Sequence, residues 1–73
     1  MEHRNYAVVI QPLPEADGGG YVALVPDLPG CMSDGETREE AAGNAADAIT
    51  AWIEEAAALG RPIPEPSKRL LLA

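Results

Sequence analysis

Seventy-three residues suffice for one small domain, 1–73, and chains of this size bury only about 60% of the surface their unfolded form exposes, so stability is marginal and self-association is a ready remedy. The 12 Asp and Glu against 5 Lys and Arg give a formal charge of −7, a surface that repels phosphate backbones, so no direct nucleic-acid binding is expected. One cysteine and one histidine leave no internal disulfide and no His/Cys zinc set, and neither a signal peptide nor a membrane-length apolar run is present, so a cytoplasmic protein without cofactor or membrane is expected.

Residues 1–5 are polar, and His3 among them reads as a solvated side chain rather than a catalytic base. Tyr6-Ala7-Val8-Val9-Ile10-Gln11 reads as a first strand with Tyr6, Val8 and Ile10 on one face and Ala7, Val9 and Gln11 on the other. Both faces are largely apolar, which fits a sheet with a helix on one side and a second subunit on the other. Pro12-Leu13-Pro14 ends the strand. The following Glu15-Ala16-Asp17-Gly18-Gly19-Gly20 is a flexible connection long enough for a hairpin and too short for a crossover, so the first two strands are antiparallel. Its glycines are a turn and not a phosphate cradle, because a strand follows them where a P-loop needs a helix and a Lys-Ser/Thr pair.

Tyr21 to Val25 is an apolar run of strand length and composition. Pro26 and Pro29, with Gly30 behind them, hold Asp27 and Leu28 in an extended corner. Cys31-Met32-Ser33-Asp34 is a short return strand, ended by Gly35. Cys31 reads as a small buried thiol with no basic neighbour to lower its pKa.

Thr37-Arg38-Glu39-Glu40 opens a helix with a capping box, in which Thr37 accepts from the Glu40 backbone and the Glu40 side chain reaches back. The helical pattern runs from Arg38 to Leu59, roughly 33 Å long. Ala42, Ala45, Ala46, Ile49, Ile53 and Ala56 form the expected buried stripe, flanked by Ala41, Ala48, Trp52 and Leu59. Trp52 on the shoulder reads as a lid over the core edge; left partly exposed, it is a candidate interface anchor instead. Gly60 suits the C′ position, and Arg61-Pro62-Ile63-Pro64-Glu65-Pro66 is a proline-stiffened return. Lys68 to Ala73, with three consecutive leucines, is expected to add a fourth, edge strand rather than a frayed tail. The fold class is therefore α+β: a small antiparallel sheet of three or four strands with one long helix packed on it, in the order β-β-β-α-β.

Gly20-Tyr21, then Val25-Pro26-Asp27-Leu28-Pro29-Gly30-Cys31, Asp34-Gly35-Glu36-Thr37, Glu39-Glu40-Ala41, Asn44-Ala45, Ala48-Ile49 and Gly60-Arg61-Pro62-Ile63-Pro64 together resemble the HicB family of antitoxins over nearly the whole chain. The P-D-L-P-G-C segment and the G-x-T-x-E-E-A segment at this separation form the specific part of the signature. The resemblance implies a partial RNase H-like fold. It also implies a function: binding and neutralising HicA, a small mRNA-cleaving toxin with a catalytic histidine. The chain stops at Ala73, before the C-terminal DNA-binding module that many members carry, so operon repression is not carried over.

A basic toxin suits the charge placement here, since Glu15 to Glu55 holds ten acids and Arg38 as the sole base; the plainer reading of those acids is solubility. The expected partner surface comprises Asp27, Leu28, Pro29, Met32, Asp34 and Glu36, which place acids and exposed apolar groups on one loop system. A homodimer or higher oligomer is expected. Two further readings stand beside the antitoxin: a structural oligomerisation module without a toxin, and a metal-dependent RNase H-like nuclease. The nuclease needs carboxylates converging on two divalent ions. Asp17, Asp27, Asp34 and Glu36 supply acids in number but at spacings that show no convergence, so no enzyme is expected.

Overall fold

The computed structural model describes residues 6–66. Within them the chain runs β1 (Val9–Pro12), a single 3-10 turn (Glu15–Asp17), β2 (Tyr21–Leu24), β3 (Met32–Gly35) and α1 (Arg38–Ala58). The strands form one antiparallel sheet in the order β1-β2-β3, with α1 across one face. The sheet and helix are the α+β arrangement read from the sequence. The expected fourth strand, Lys68 to Ala73, lies outside the described residues.

The first strand starts and ends later than expected, and it includes Pro12. The bond from Leu13 N–H to the Gly20 carbonyl at 2.8 Å sets the ladder phase, so the missing N–H of Pro12 faces away from β2 on an edge strand, where proline costs nothing. Tyr6 lies ahead of the strand. It is buried in the core, and its hydroxyl donates to the Pro64 carbonyl, joining the start of the described chain to the proline-rich return.

The register makes the two faces of the sheet explicit. Ile10, Ala23 and Ser33 align across the three strands, as do Pro12, Tyr21 and Gly35. These rows face α1: Ala23 is fully buried and the Ser33 hydroxyl donates to the Ala41 carbonyl at 3.3 Å. By alternation, the rows Val9-Leu24-Met32 and Gln11-Val22-Asp34 occupy the opposite face.

The core has two parts. Where the first half of α1 crosses the sheet, Ala41 and Ala45 lie against Ala23, and Gly35 lets the backbones approach. A Cβ on Gly35 would sit 2.5 Å from the Ala41 nitrogen and 2.9 Å from the Glu40 carbonyl carbon. Further along, α1 lifts away and larger groups fill the space: Ile49 and Ile53 pack with Tyr6, Val25, Leu28 and Cys31. The buried line is thus Ala41, Ala45, Ile49, Ile53 and Ala56. Ala42 and Ala46, expected in the stripe, are exposed, because stepping back by four from the isoleucines reaches 45 and 41 and leaves 42 and 46 one residue, about 100°, away.

Candidate functional site

The corner between β2 and β3 is built from two successive turns and not from an extended segment. Leu28 N–H bonds the Val25 carbonyl at 3.1 Å, Cys31 N–H bonds the Leu28 carbonyl at 2.9 Å, and Val25 N–H closes the loop on the Cys31 carbonyl. Each proline occupies the second position of its turn, which its fixed φ favours, and Gly30 at φ +79° supplies the left-handed third position of a type II turn. This double turn points Leu28 inward. It is 0% exposed, the largest fully buried side chain among the described residues, so its expected place on a contact surface is corrected to a core role.

The other five expected contact residues are distributed along β3. Asp27, half-buried, and Pro29, exposed, sit at the corner, where the Pro29 carbonyl accepts from Trp52 Nε1 at 2.9 Å. With that bond, Trp52 packs on Ile53's cluster at the core edge and stays half-buried, so part of the ring remains at the surface, as the anchor reading requires. Met32, 55% exposed, and Asp34 follow on the open sheet face. Glu36 lies just past the other end of the strand, about 13 Å from Met32 at 3.3 Å per residue. Corner and acids therefore stand at opposite ends of β3.

The acid end forms a recess of about 400 Å³ lined by Gly18, Gly19, Gly20, Asp34, Gly35, Glu36, Glu40 and Asn44. The capping box shapes its floor: Glu40 N–H donates to Thr37 Oγ1 at 3.0 Å, and Glu36 N–H donates to Glu40 Oε1 at 2.5 Å. The Glu40 carboxylate thus reaches back, as expected, to the amide of the residue just ahead of the Thr37 N-cap. One turn on, Asn44 Nδ2 donates to the Asp34 carbonyl at 2.8 Å, pinning the exposed edge of β3 to the helix. The glycine connection is ordered too, with Asp17 and Gly19 N–H groups both on the Pro14 carbonyl. Arg38, in the first turn of the helix, lies over the Tyr21 ring at 5.0 Å.

Glu40 and Asn44 were readable as an i, i+4 pair on one helix face, but only the fold brings them to β3. The acids do not converge as a metal centre: among the described residues, no three His, Cys, Asp or Glu side chains are grouped to hold a metal ion. Cys31 is buried, and burial pushes its thiol pKa up, away from the thiolate. No described helix is long and apolar enough to cross a membrane. What the recess offers is a preorganised acidic surface, suited to Lys and Arg side chains.

Residues 6–70 match the family described as HicB-like antitoxin of bacterial toxin–antitoxin systems. A UPF0150 protein of Synechocystis is 44% identical over 61 residues, covering 84% of this chain and 73% of that protein. A UPF0150 protein of Thermoplasma acidophilum is 41% identical over 60 residues, with 82% and 83% covered. Antitoxin HicB 1 of Photorhabdus laumondii is 37% identical over 54 residues, which are 74% of this chain and 33% of that longer protein.

Proposed function

Since the chain belongs to the HicB-like antitoxin family of bacterial toxin–antitoxin systems, we propose that it binds and neutralises a small basic HicA-type mRNA-cleaving toxin by covering the toxin's RNA-binding and active surface. The observation that carries this reading is the acidic recess at the end of β3. Asp34, Glu36 and Glu40 stand on a strand end and a helix start that are tied together by backbone and side-chain hydrogen bonds. A surface that grips RNA presents cations at phosphate spacing, and carboxylates carried on a hydrogen-bonded strand end and helix start compete for those cations. The net charge of −7 extends the attraction beyond the contact and speeds encounter. Asp27 and Pro29 at the corner form the far end of the same contact. Neutralisation here is steric and electrostatic, and asks no chemistry of this chain.

The test is capture from lysate of the source cells with this chain as bait, at low and moderate salt. Recovery of a small basic protein whose RNA cleavage stops when the bait is added is the expected result. Recovery of the bait alone at both salts contradicts the proposal.

A further inference from the structure

We propose that Tyr6 and the proline-rich return, residues 61–66, form a latch over the larger core cluster, which opens while α1 and the three strands stay in place. Opening uncovers Cys31 and the inner side of the β2–β3 corner.

The return is fixed at its root. Gly60 N–H bonds the Ala57 carbonyl at 3.2 Å and Arg61 N–H the Ala56 carbonyl at 2.8 Å, the paired bonds that end a helix on a left-handed glycine, here Gly60 at φ +72°. Beyond that root the sequence limits what can hold it. Pro62, Pro64 and Pro66 have no N–H, so every second residue has nothing to donate to a strand ladder. Two holds take the place of a ladder. The half-buried Ile63 side chain packs on the larger cluster, and the Pro64 carbonyl accepts from the Tyr6 hydroxyl.

Tyr6 is the other half of the latch. It lies ahead of β1, which begins at Val9, so the β1–β2 register does not include it. It is nonetheless buried, in one cluster with Leu28 and Cys31. Burial, then Asp27 and Glu65, raise the phenol pKa, which puts the tyrosine, the corner and the return within electrostatic reach of one another. Leu28 fixes the corner from within, so a closed latch also steadies Asp27 and Pro29 at its tip. That last link bears on toxin binding only if the toxin reading holds; the latch itself does not depend on it.

The rest of the fold stands without the latch. The smaller cluster, Ala23, Ala41 and Ala45 with Ile10 and Tyr21 against it, contains no latch residue. The capping box and the bond from Asn44 to the Asp34 carbonyl tie the start of α1 to the far end of β3. Releasing one hydrogen bond and one isoleucine therefore frees both ends of the described chain while helix and sheet remain, a local opening well short of global unfolding.

The experiment uses no toxin. It measures the rate at which N-ethylmaleimide labels Cys31, the one cysteine, in the full chain and in Tyr6→Phe, Ile63→Ala and, as a control in the other core, Gly35→Ala. The urea-unfolded chain gives the unprotected rate. Circular dichroism checks each fold, and Tyr6→Phe, which removes the hydroxyl alone, keeps the test decisive if Ile63→Ala does not fold. The expected wild-type rate is far below the unprotected one. Tyr6→Phe speeds labelling about fivefold, the worth of one net hydrogen bond, and Ile63→Ala about tenfold. Gly35→Ala, which loosens the smaller cluster, stays within about twofold of wild type. An unchanged rate in either folded latch variant overturns the proposal, because something else then covers the thiol. A rate in Gly35→Ala raised as much as in Tyr6→Phe overturns it in favour of whole-chain unfolding. Wild-type labelling at the unprotected rate overturns the closed latch itself.

Discussion

Replacing Gly35 by alanine probes the closest approach between helix and sheet. The added Cβ would lie 2.5 Å from the Ala41 nitrogen, 2.9 Å from the Glu40 carbonyl carbon and 3.0 Å from the Ala41 Cα. All three are backbone atoms of the first helical turns, so no rotamer change relieves the clash, and α1 must lift by about 1 Å from a sheet it otherwise meets through alanines. Overpacking of this kind costs about 1–3 kcal/mol. Against a total of roughly 4–11 kcal/mol for a chain of this length, that is a large share, equivalent to a fall of roughly 5–20 °C in Tm. Gly43 is the internal control. It is exposed in the second turn of α1 with nothing within 4 Å of a Cβ, so Gly43→Ala stabilises by about 0.5–1 kcal/mol through helix propensity alone. Urea unfolding followed by the fluorescence of Trp52, the one tryptophan, reads both variants. Equal stability of Gly35→Ala and wild type, or a loss in Gly43→Ala matching that in Gly35→Ala, refutes the packing described here.

Leu28→Ala empties the centre of the larger core cluster and costs about 2–5 kcal/mol; urea unfolding of a variant within 1 kcal/mol of wild type would return Leu28 to the surface. Alkaline pH acts on two buried groups. Burial, with Asp27 and Glu65 adding to it, raises the Tyr6 phenol pKa, and burial raises that of the Cys31 thiol. Both bind their protons more tightly in the folded state, so stability is intact below the unfolded values of about 8.5 for the thiol and 10 for the phenol and falls as pH rises past them. The urea midpoint therefore drops between about pH 8 and 10.5, and less in Cys31→Ala; a flat profile contradicts the burial of both.

The sequence made α1 legible almost to the residue because its signals are local: Thr37 and Glu40 form the box that starts it and Gly60 lies just beyond its end. The hairpin was legible because Glu15 to Gly20 is too short for anything else. What was illegible depends on choices between equivalent apolar residues. Ala41, Ala42, Ala45 and Ala46 give two candidate lines on the helix; the step of four back from Ile53 and Ile49 favours 45 and 41, and packing against Ala23 confirms that line. In Tyr21 to Val25 every residue is apolar, so periodicity did not say that Val22 and Leu24 share the open face with Met32. Leu28 was misplaced because two prolines suggest an extended corner as readily as two consecutive turns, and only the turns aim it inward. The acid site was half visible: Asp34 and Glu36 lie beside the helix start in sequence, but Glu40 and Asn44 join them only once α1 is laid on β3.

The most direct test of the antitoxin account is the salt dependence of toxin neutralisation, measured as inhibition of RNA cleavage by a HicA-type toxin with wild-type chain and with the double variant Asp34→Lys, Glu36→Lys. At about 1 kcal/mol per lost or reversed charge pair, the variant binds about thirtyfold more weakly, and its affinity falls less steeply with added NaCl. The same inhibition and the same salt slope in both proteins would contradict the account and remove the end of β3 from the interface.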